Sequence, residues 1–296
     1  MEFRTIVDIP RPDFEIQPCE EILFVGSCFA DEIGGRFRDN GFPVTVNPYG
    51  VMYNPASILH TIERYEHVPR IVFLTLGTNH VYRLKETGEI VDNCEKRPQR
   101  LFQEEQLSID DCVGYLQNAI EVLRQRNPEV QVVLTVSPIR YRKYGYHGSQ
   151  LSKATLLLAI DQLIHHPSSI PLQTSSIIHQ TSSIPLQTSS IIHQTSSIPL
   201  YYFPSYEILM DELRDYRFYA SDMLHPSAQA VDYIWERLVE FCFSSGAKHF
   251  LEEWRPLQQA LAHKPFHPES PAYKEFMDKT MLKLTDLRKK YTTFAL

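Results

Sequence analysis

Three separated segments of this 296-residue chain contain side chains that could serve as a nucleophile, a base and an oxyanion donor. Ser27 follows a short apolar run, Asn79 follows a second one, and Asp222 and His225 lie three residues apart much later in the chain. A serine hydroxyl becomes a good nucleophile when a neighbouring base takes its proton. Histidine titrates near neutrality and can take and return that proton.

The spacing of Asp222 and His225 favours their acting as a pair. If this segment forms a helical turn, both side chains share a face, and the carboxylate can hold the imidazole in one tautomer. Asn79 could donate its side-chain amide to the oxyanion that develops during acyl transfer, with the backbone N–H groups of Ser27 and Gly50 beside it. Together these residues indicate acyl-transfer chemistry.

The segment around Ser27 predicts a strand, a tight turn and a helix. Ile22 to Val25 are apolar, Gly26-Ser27 interrupts the run, and an amphipathic pattern from Asp31 ends at Gly41. This arrangement would place the Ser27 hydroxyl at the carboxyl edge of a sheet, where α/β folds bind ligands. It would also direct free N–H groups of the helix N-terminus at whatever Ser27 attacks.

The rest of the first 245 residues alternates between strand and helix patterns, which predicts an α/β fold with a parallel sheet. Residues 70–76 and 130–136 are apolar, β-branched runs typical of buried parallel strands. Helices are expected over about 54–65, 108–126, 151–164, 205–214 and 228–243. From 246 to 296 there is no strand pattern, so we expect two parts: a main domain, 1–245, and a C-terminal helical extension, 246–296.

A 14-residue unit beginning at Ser168 recurs unchanged at Ser182 and starts again at Ser196. Repeat architectures need about three units of 20 or more residues to bury a core, so this segment is too short for a solenoid. We interpret residues 168–195 as a tandem insertion at the sheet edge, expected to be mobile. A partner-binding strand ladder is the alternative interpretation.

Composition limits the function classes. The formal net charge of −7 argues against nucleic acid as a partner, and no apolar run approaches the roughly 20 residues that span a bilayer. The N-terminal residues resemble neither a basic leader nor an export segment. Five scattered cysteines without a CxxC pair fit a reducing compartment, so we expect a cytoplasmic protein. No residue spacing suggests a metal site, and no cofactor is expected.

The five residues Gly-Ser-Cys-Phe-Ala (26–30) resemble the signature of the GSCFA family, within the SGNH (GDSL-like) hydrolase superfamily. Further segments resemble family blocks: Asn-Pro-Tyr-Gly (47–50), Thr-Leu-Gly-Thr (75–78), Asp-Asn-Cys-Glu-Lys (92–96), Ser-Pro-Ile-Arg (137–140) and Asp-Met-Leu-His-Pro (222–226). The resemblance implies a three-layer αβα sandwich with a parallel sheet, and ester hydrolysis by Ser27 and His225 with Asp222 assisting. It also implies an oxyanion hole completed by a glycine and an asparagine, for which Gly50 and Asn79 are the candidates.

The sequence departs from the superfamily pattern in two blocks. The aspartate that usually precedes the serine is absent, and His80 stands where an aspartate often follows the asparagine. Asn93 is therefore an alternative oxyanion asparagine. Asn47 and His147 are further candidates for the wall of the substrate cleft.

Cys28 is a second candidate nucleophile, because it adjoins Ser27. Successive residues of a starting helix diverge by about 100°, so the two side chains should not point at the same atom. Ser27 is the preferred nucleophile.

We therefore expect a cytoplasmic, cofactor-free, serine-dependent ester hydrolase that acts on a small acyl group such as acetyl. A carbohydrate ester enters as a substrate class through the resemblance alone. Two alternatives stay open: an acyltransferase that uses the same site, and a non-catalytic binding module that retains the fold. The sequence does not determine the oligomeric state.

Overall fold

The computed structural model of the protein describes residues 4–92, 97–165 and 200–295. Eight strands are found in these ranges: β1 (Ile22–Gly26), β2 (Val44–Val46), β3 (Ile71–Leu76), β4 (His80–Leu84), β5 (Ile90–Val91), β6 (Phe102–Gln106), β7 (Gln131–Val136) and β8 (Leu200–Tyr202). The α-helices in the same ranges are α1 (Cys28–Asp39), α2 (Pro55–Arg64), α3 (Ile109–Arg126), α4 (Gly145–His165), α5 (Ser205–Glu207), α6 (Ala228–Cys242), α7 (Ser245–Ala262) and α8 (Pro271–Lys290).

The central sheet has the order β2–β1–β3–β7–β8, and all of its neighbouring strands are parallel. Every residue of β1 and β3 is buried, as expected for strands covered on both faces. Because the strands are parallel, their carboxyl ends lie at one edge of the sheet. The register pairs Gly26, the last residue of β1, with Thr75 of β3 at that edge.

Helices cover both faces of the sheet. Leu23 and Val25 of β1 point to one face and join a hydrophobic cluster with α2, α3 and α4. Ile22 and Phe24 point to the other face and join a cluster with α1, α6 and α7. Alternate residues of one strand therefore contribute to two cores, and the predicted three-layer αβα sandwich is confirmed.

Helix starts follow the local signals in the sequence. Asn54 caps α2 by accepting a hydrogen bond from the Ser57 N–H, with Pro55 at the first helical position. Ser108 and Asp111 form a capping box at the start of α3. Ser205 is the first residue of α5, and its buried hydroxyl donates to the Val136 carbonyl.

A small antiparallel sheet, ordered β5–β4–β6, follows β3. Strands β4 and β5 form an antiparallel hairpin in this sheet. Strand β6 was not predicted, because four of its five residues are exposed and its sequence, Phe-Gln-Glu-Glu-Gln, lacks an apolar alternation.

The C-terminal helices pack on the main sheet's helices. Phe250 and Trp254 of α7 are buried in the cluster that contains α1 and α6, and the Trp254 indole N–H donates to the Asp39 carbonyl. In α8, Leu284 and Leu287 are buried, whereas Phe276 and Met281 are exposed.

Two predictions about chain organisation stay predictions. The boundary at residues 245 and 246 is untested, and the tandem repeat at 168–195 lies outside the described residues. Among the described helices, none has both the length and the apolar character needed to cross a membrane.

Candidate active site

The turn that carries Ser27 depends on Gly26. This glycine has φ +148°, and a Cβ atom built on it would lie 2.1 Å from the Thr75 carbonyl oxygen. No side chain fits there, so the close approach of β1 and β3 requires glycine. The chain then turns at Ser27, which caps α1 by accepting a hydrogen bond from the Phe29 N–H.

The Ser27 side chain is fully buried, with an exposed fraction of 0%. Its hydroxyl oxygen lies 3.3 Å from Thr75 Oγ1 and 3.3 Å from the Phe29 nitrogen. The Ser27 N–H donates to the Thr75 carbonyl oxygen at 3.0 Å and to Thr75 Oγ1 at 2.9 Å. Thr75 therefore contacts both the backbone and the hydroxyl of the candidate nucleophile.

Asn47 supports the same turn from β2. Its Oδ1 accepts a 2.8 Å hydrogen bond from the Gly26 N–H, and its Nδ2 donates to Asp31 of α1 at 2.9 Å. Asn47 itself adopts φ +45°, which asparagine tolerates better than most residues. It thus orients the peptide before Ser27, and its side-chain groups are engaged within the protein.

The two predicted oxyanion donors are also engaged elsewhere. The Gly50 N–H donates to the Asn47 carbonyl at 2.8 Å, and Gly50 is exposed. The Asn79 amide donates to the Leu107 carbonyl at 2.8 Å, which leaves Asn79 Oδ1 buried without a partner among the described residues. The alternative, Asn93, lies outside the described residues.

Asp222 and His225 form a hydrogen-bonded pair. Asp222 Oδ2 lies 2.6 Å from His225 Nδ1. An ionised carboxylate only accepts hydrogen bonds, so Nδ1 carries the proton and Nε2 is left as the basic nitrogen. The backbone N–H groups of His225 and Leu224 both donate to Asp222 Oδ1; these bonds, followed by the contact with the imidazole, lower the pKa of Asp222 to about 2. Asp222 is therefore ionised wherever His225 can act as a base.

The pair lies on a loop rather than on the predicted helical turn. The loop closes through the Ala220 N–H, which donates to the His225 carbonyl, and Ser227 then caps α6. Both side chains remain accessible, with exposed fractions of 44% for His225 and 45% for Asp222. Such exposure leaves Nε2 open to a substrate.

Arg140 fixes this loop to the end of β7. Its guanidinium donates to the Met223 carbonyl at 3.1 Å, and its backbone N–H donates to the Leu224 carbonyl at 3.0 Å. The guanidinium also lies over the rings of Tyr146 and Tyr219, at 4.2 and 5.1 Å. The predicted Ser-Pro-Ile-Arg segment thus supports the loop of the candidate base.

Ser27 and His225 precede the N-termini of two packed helices. Arg36, near the C-terminal end of α1, pairs with Asp232 of α6 at 2.6 Å, and the neighbouring Phe37 ring contacts Trp235 of α6. These contacts, and the hydrophobic cluster that the two helices share, place α1 and α6 on the same face of the sheet. Among the described residues, however, the Ser27 hydroxyl bonds to Thr75 and Phe29 and not to His225.

The remaining candidates lie at different depths. His147 is exposed near the start of α4. Cys28 is partly exposed, and burial, followed by the charge of Asp31, raises the pKa of its thiol. A thiol that stays protonated is a poor nucleophile, which supports the preference for Ser27.

Two residues that the sequence interpretation did not assign to the site lie close to it. Lys153 of α4 is buried, and its ammonium nitrogen lies 2.6 Å from the Gly77 carbonyl and 2.7 Å from the Ser137 carbonyl. Tyr141 follows Arg140, and its hydroxyl lies against Gly77. The helical pattern of α4 does not indicate a buried lysine. Tyr141 could have been considered because it directly follows the Ser-Pro-Ile-Arg block.

Within the described residues, no group of three or more histidine, cysteine, aspartate or glutamate side chains is arranged to hold a metal ion.

Comparison with solved structures finds several esterases at low sequence identity. One is an acetyl esterase variant with an acetate ion: 12% identity, TM-score 0.39, covering 82% of this chain and 100% of that chain. A carbohydrate esterase family 3 protein from Talaromyces cellulolyticus has 11% identity and a TM-score of 0.36, covering 79% and 99%. A family two carbohydrate esterase from Clostridium thermocellum, in complex with cellohexaose, has 12% identity and a TM-score of 0.38, covering 76% and 64%. No curated protein matches the chain.

Comparison with family models matches most of the sequence. The GSCFA family model matches residues 21–70, 67–171 and 180–238. A second model, the C-terminal domain of GSCFA domain proteins, matches residues 254–296. The first match includes Ser27 and the Asp222–His225 pair and spans well over half of the chain. The protein therefore belongs to the GSCFA family.

Proposed function

We propose that this protein is a serine-dependent ester hydrolase that removes a small acyl group, such as acetyl. The observation that carries the proposal is the 2.6 Å contact between Asp222 and His225 Nδ1, which leaves Nε2 as an accessible base. Ser27, at the end of β1 and the start of α1, is the proposed nucleophile. Its place at the carboxyl edge of a parallel sheet supports this role.

In the proposed first step, Ser27 Oγ attacks the ester carbonyl carbon while its proton passes to His225 Nε2. The carbonyl π electrons move to oxygen and form an oxyanion. Collapse of this intermediate breaks the ester C–O bond, and the leaving alcohol takes the proton from His225. Water then attacks the acyl-Ser27 ester with the same base, which releases the carboxylic acid and restores Ser27.

The proposed reaction requires a change at Ser27. Its hydroxyl is buried and shared between Thr75 and Phe29 in the free protein. Catalytic hydrogen bonds are often long or misaligned before substrate binds. We expect ester binding to bring the hydroxyl and His225 Nε2 into hydrogen-bond distance.

Hydrolysis of p-nitrophenyl acetate tests the mechanism. Ser27→Ala and His225→Ala should each lower kcat by on the order of 10³ or more. His249→Ala, on the exposed face of α7, is a matched histidine control and should keep full activity. Cys28→Ser should also stay active. Full activity in both Ser27→Ala and His225→Ala would exclude the proposed mechanism.

Covalent labelling tests the nucleophile separately from turnover. A fluorophosphonate probe followed by mass-spectrometric mapping should modify Ser27 in the wild-type protein. A non-catalytic binding protein should resist the probe. Labelling of Cys28 in place of Ser27 would assign the nucleophile to the neighbouring residue.

The acceptor of the acyl group needs its own assay. The SGNH resemblance brings carbohydrate acetyl esters into the substrate class to test. Acetylated sugars should release acetate in a Ser27-dependent reaction. Formation of a new acetylated sugar when a free sugar is supplied would instead assign the protein as an acyltransferase.

We also propose a cytoplasmic location. The four described cysteines, Cys19, Cys28, Cys112 and Cys242, are all free thiols, which is compatible with a reducing compartment. Cell fractionation with an antibody to the chain tests this assignment, and recovery outside the cytoplasmic fraction would contradict it.

A further inference from the structure

The donors expected to stabilise the oxyanion are already used in the free protein. The Ser27 N–H donates to Thr75, the Gly50 N–H serves a turn, and the Asn79 amide is bonded to a backbone carbonyl. An oxyanion hole needs donors that are aimed at the reacting carbonyl oxygen before the reaction begins. The side-chain donor must therefore come from another residue.

The Tyr141 hydroxyl is adjacent to the nucleophile. A Cβ atom built on Gly77 would lie 2.3 Å from Tyr141 Oη and 3.3 Å from Ser27 Cβ. One point in space thus lies close to both side chains, and a Cβ at position 77 would collide with Tyr141 Oη and lie 3.0 Å from the Tyr53 carbonyl oxygen. The Tyr141 hydroxyl and the Ser27 Cβ atom both lie beside Gly77.

The position of Tyr141 is fixed by its surroundings. Its backbone N–H donates to Ser149 Oγ at 3.1 Å. Its ring packs edge-on against Tyr53, with centroids 6.3 Å apart, and the buried Lys153 amine lies 5.2 Å from the ring centroid. The hydroxyl is therefore held in place by contacts of the ring and backbone, with no contribution from a hydrogen bond of its own.

The Tyr141 hydroxyl has no hydrogen-bond partner in the described part of the chain. Tyr141 is half-buried, and tyrosine hydroxyls that are buried usually find a partner. Burial, followed by the proximity of Cys28 and Tyr53, raises the pKa of this phenol. The hydroxyl consequently stays protonated at all pH values where His225 could act, and it is a donor rather than a base.

We propose that the Tyr141 hydroxyl donates a hydrogen bond to the carbonyl oxygen of the bound ester, and to the oxyanion formed on that oxygen when Ser27 attacks. This role rests on the proposed ester hydrolysis. It assigns the side-chain donor to a phenol beside Gly77 in place of the Asn79 amide.

Tyr141→Phe tests the role, because it removes one oxygen and keeps the ring. With p-nitrophenyl acetate, we expect kcat and kcat/KM to fall together by about 10²–10³, since the lost bond acts mainly in the transition state. The melting temperature should change little, because no hydrogen bond of the free protein is lost. Tyr144→Phe is the matched control: Tyr144 stacks on His80 instead of approaching Ser27, and the variant should keep wild-type kcat.

A wild-type structure with a phosphonate bound covalently to Ser27 gives a second measurement that does not depend on a variant folding. The phosphonyl oxygen should lie about 2.7–3.1 Å from Tyr141 Oη. A separation beyond hydrogen-bond distance, or wild-type kcat in a folded Tyr141→Phe protein whose activity still requires Ser27, would overturn the role of Tyr141 alone. Absence of Ser27-dependent hydrolysis in the wild type would overturn the ester hydrolase assignment together with it.

Discussion

Lys153 Nζ lies 2.6 Å from the Gly77 carbonyl oxygen, so a buried amine from α4 is bonded directly to the residue that follows β3. The same nitrogen lies 2.7 Å from the carbonyl of Ser137, which follows β7. One side chain therefore joins the ends of two neighbouring strands at the edge where Ser27 is located. Gly77, whose neighbours include Ser27 and Tyr141, is thereby tied to the end of β7.

Lys153 should give the stability of the protein a characteristic pH dependence. Burial lowers the pKa of its amine to about 7, whereas in the unfolded chain a lysine titrates near about 10.4. Between these values the unfolded chain holds a proton that the folded chain has released, so the free energy of unfolding rises with pH. Below about pH 7 the amine is charged in both states, and the folded state bears the full free-energy cost of burying that charge.

Urea unfolding of the wild type and Lys153→Met from pH 6 to pH 10 measures this effect. The wild type should gain stability over the range, relative to the methionine variant. At high pH the variant should be less stable, by about 1–3 kcal/mol for each carbonyl that it leaves unpaired. Parallel pH curves for the two proteins would show that Lys153 keeps its ordinary pKa.

Gly26→Ala should destabilise the protein severely. The new methyl group would lie 2.1 Å from the Thr75 carbonyl, at a φ that disfavours side chains, and we expect a loss of at least about 3 kcal/mol in the free energy of unfolding. Gly35→Ala is the matched control, because Gly35 lies within α1 with open space around its Cβ position. That control should stabilise the protein by about 0.5–1 kcal/mol. Equal melting temperatures for the two variants would contradict the steric argument.

Asp222→Asn should impair catalysis more than folding. Asparagine can present its NH₂ group to His225 Nδ1, which favours the tautomer with the proton on Nε2 and removes the base. We expect kcat for p-nitrophenyl acetate to fall by about 10²–10⁴, with a small change in melting temperature because the site is exposed. Asp215→Asn, which disrupts an exposed pair with Arg217 on the preceding segment, should leave kcat unchanged. Equal kcat values for Asp222→Asn and Asp215→Asn would show that Asp222 does not contribute to catalysis.

Arg140→Lys should loosen the loop that carries His225. Lysine keeps the charge but loses the planar group that lies over Tyr146 and Tyr219 and donates to the Met223 carbonyl. We expect a several-fold drop in kcat, smaller than that of His225→Ala, and faster amide hydrogen exchange over 220–226. Arg142→Lys, an exposed neighbour, is the control. An unchanged rate of amide hydrogen exchange over 220–226 in Arg140→Lys would show that Arg140 does not stabilise this loop.

The parts of the fold that could be predicted from sequence are those set by local pattern. The strand, glycine and serine at 22–27 predict a turn because an apolar run ends there, and Asn54 with Pro55 predicts a helix start from capping chemistry. Strand β6 escapes prediction because its pairing with β4 is long-range and most of its side chains face solvent. Its sequence carries no periodic signal.

In the candidate site, too, the relationships that could be predicted are those between residues close together in the sequence. Asp222 and His225 are close in sequence, so their pairing could be inferred from spacing. Asn79 was expected to face the oxyanion. Its amide donates to the carbonyl of Leu107, which lies 28 residues further along the chain, and no sequence motif indicates this contact. Lys153 and Tyr141 reach the site from segments whose patterns indicate only a helix and a loop, and tertiary packing alone brings them there.

The short loop that contains both Asp222 and His225 has a mechanical consequence. Their hydrogen bond closes within four residues, and the same carboxylate also binds two N–H groups of the loop. A displacement of the loop therefore moves acid and base as one rigid unit and leaves the imidazole tautomer unchanged. In the proposed mechanism, substrate binding therefore has to change the separation of Ser27 Oγ from His225 Nε2, while the Asp222–His225 hydrogen bond stays intact.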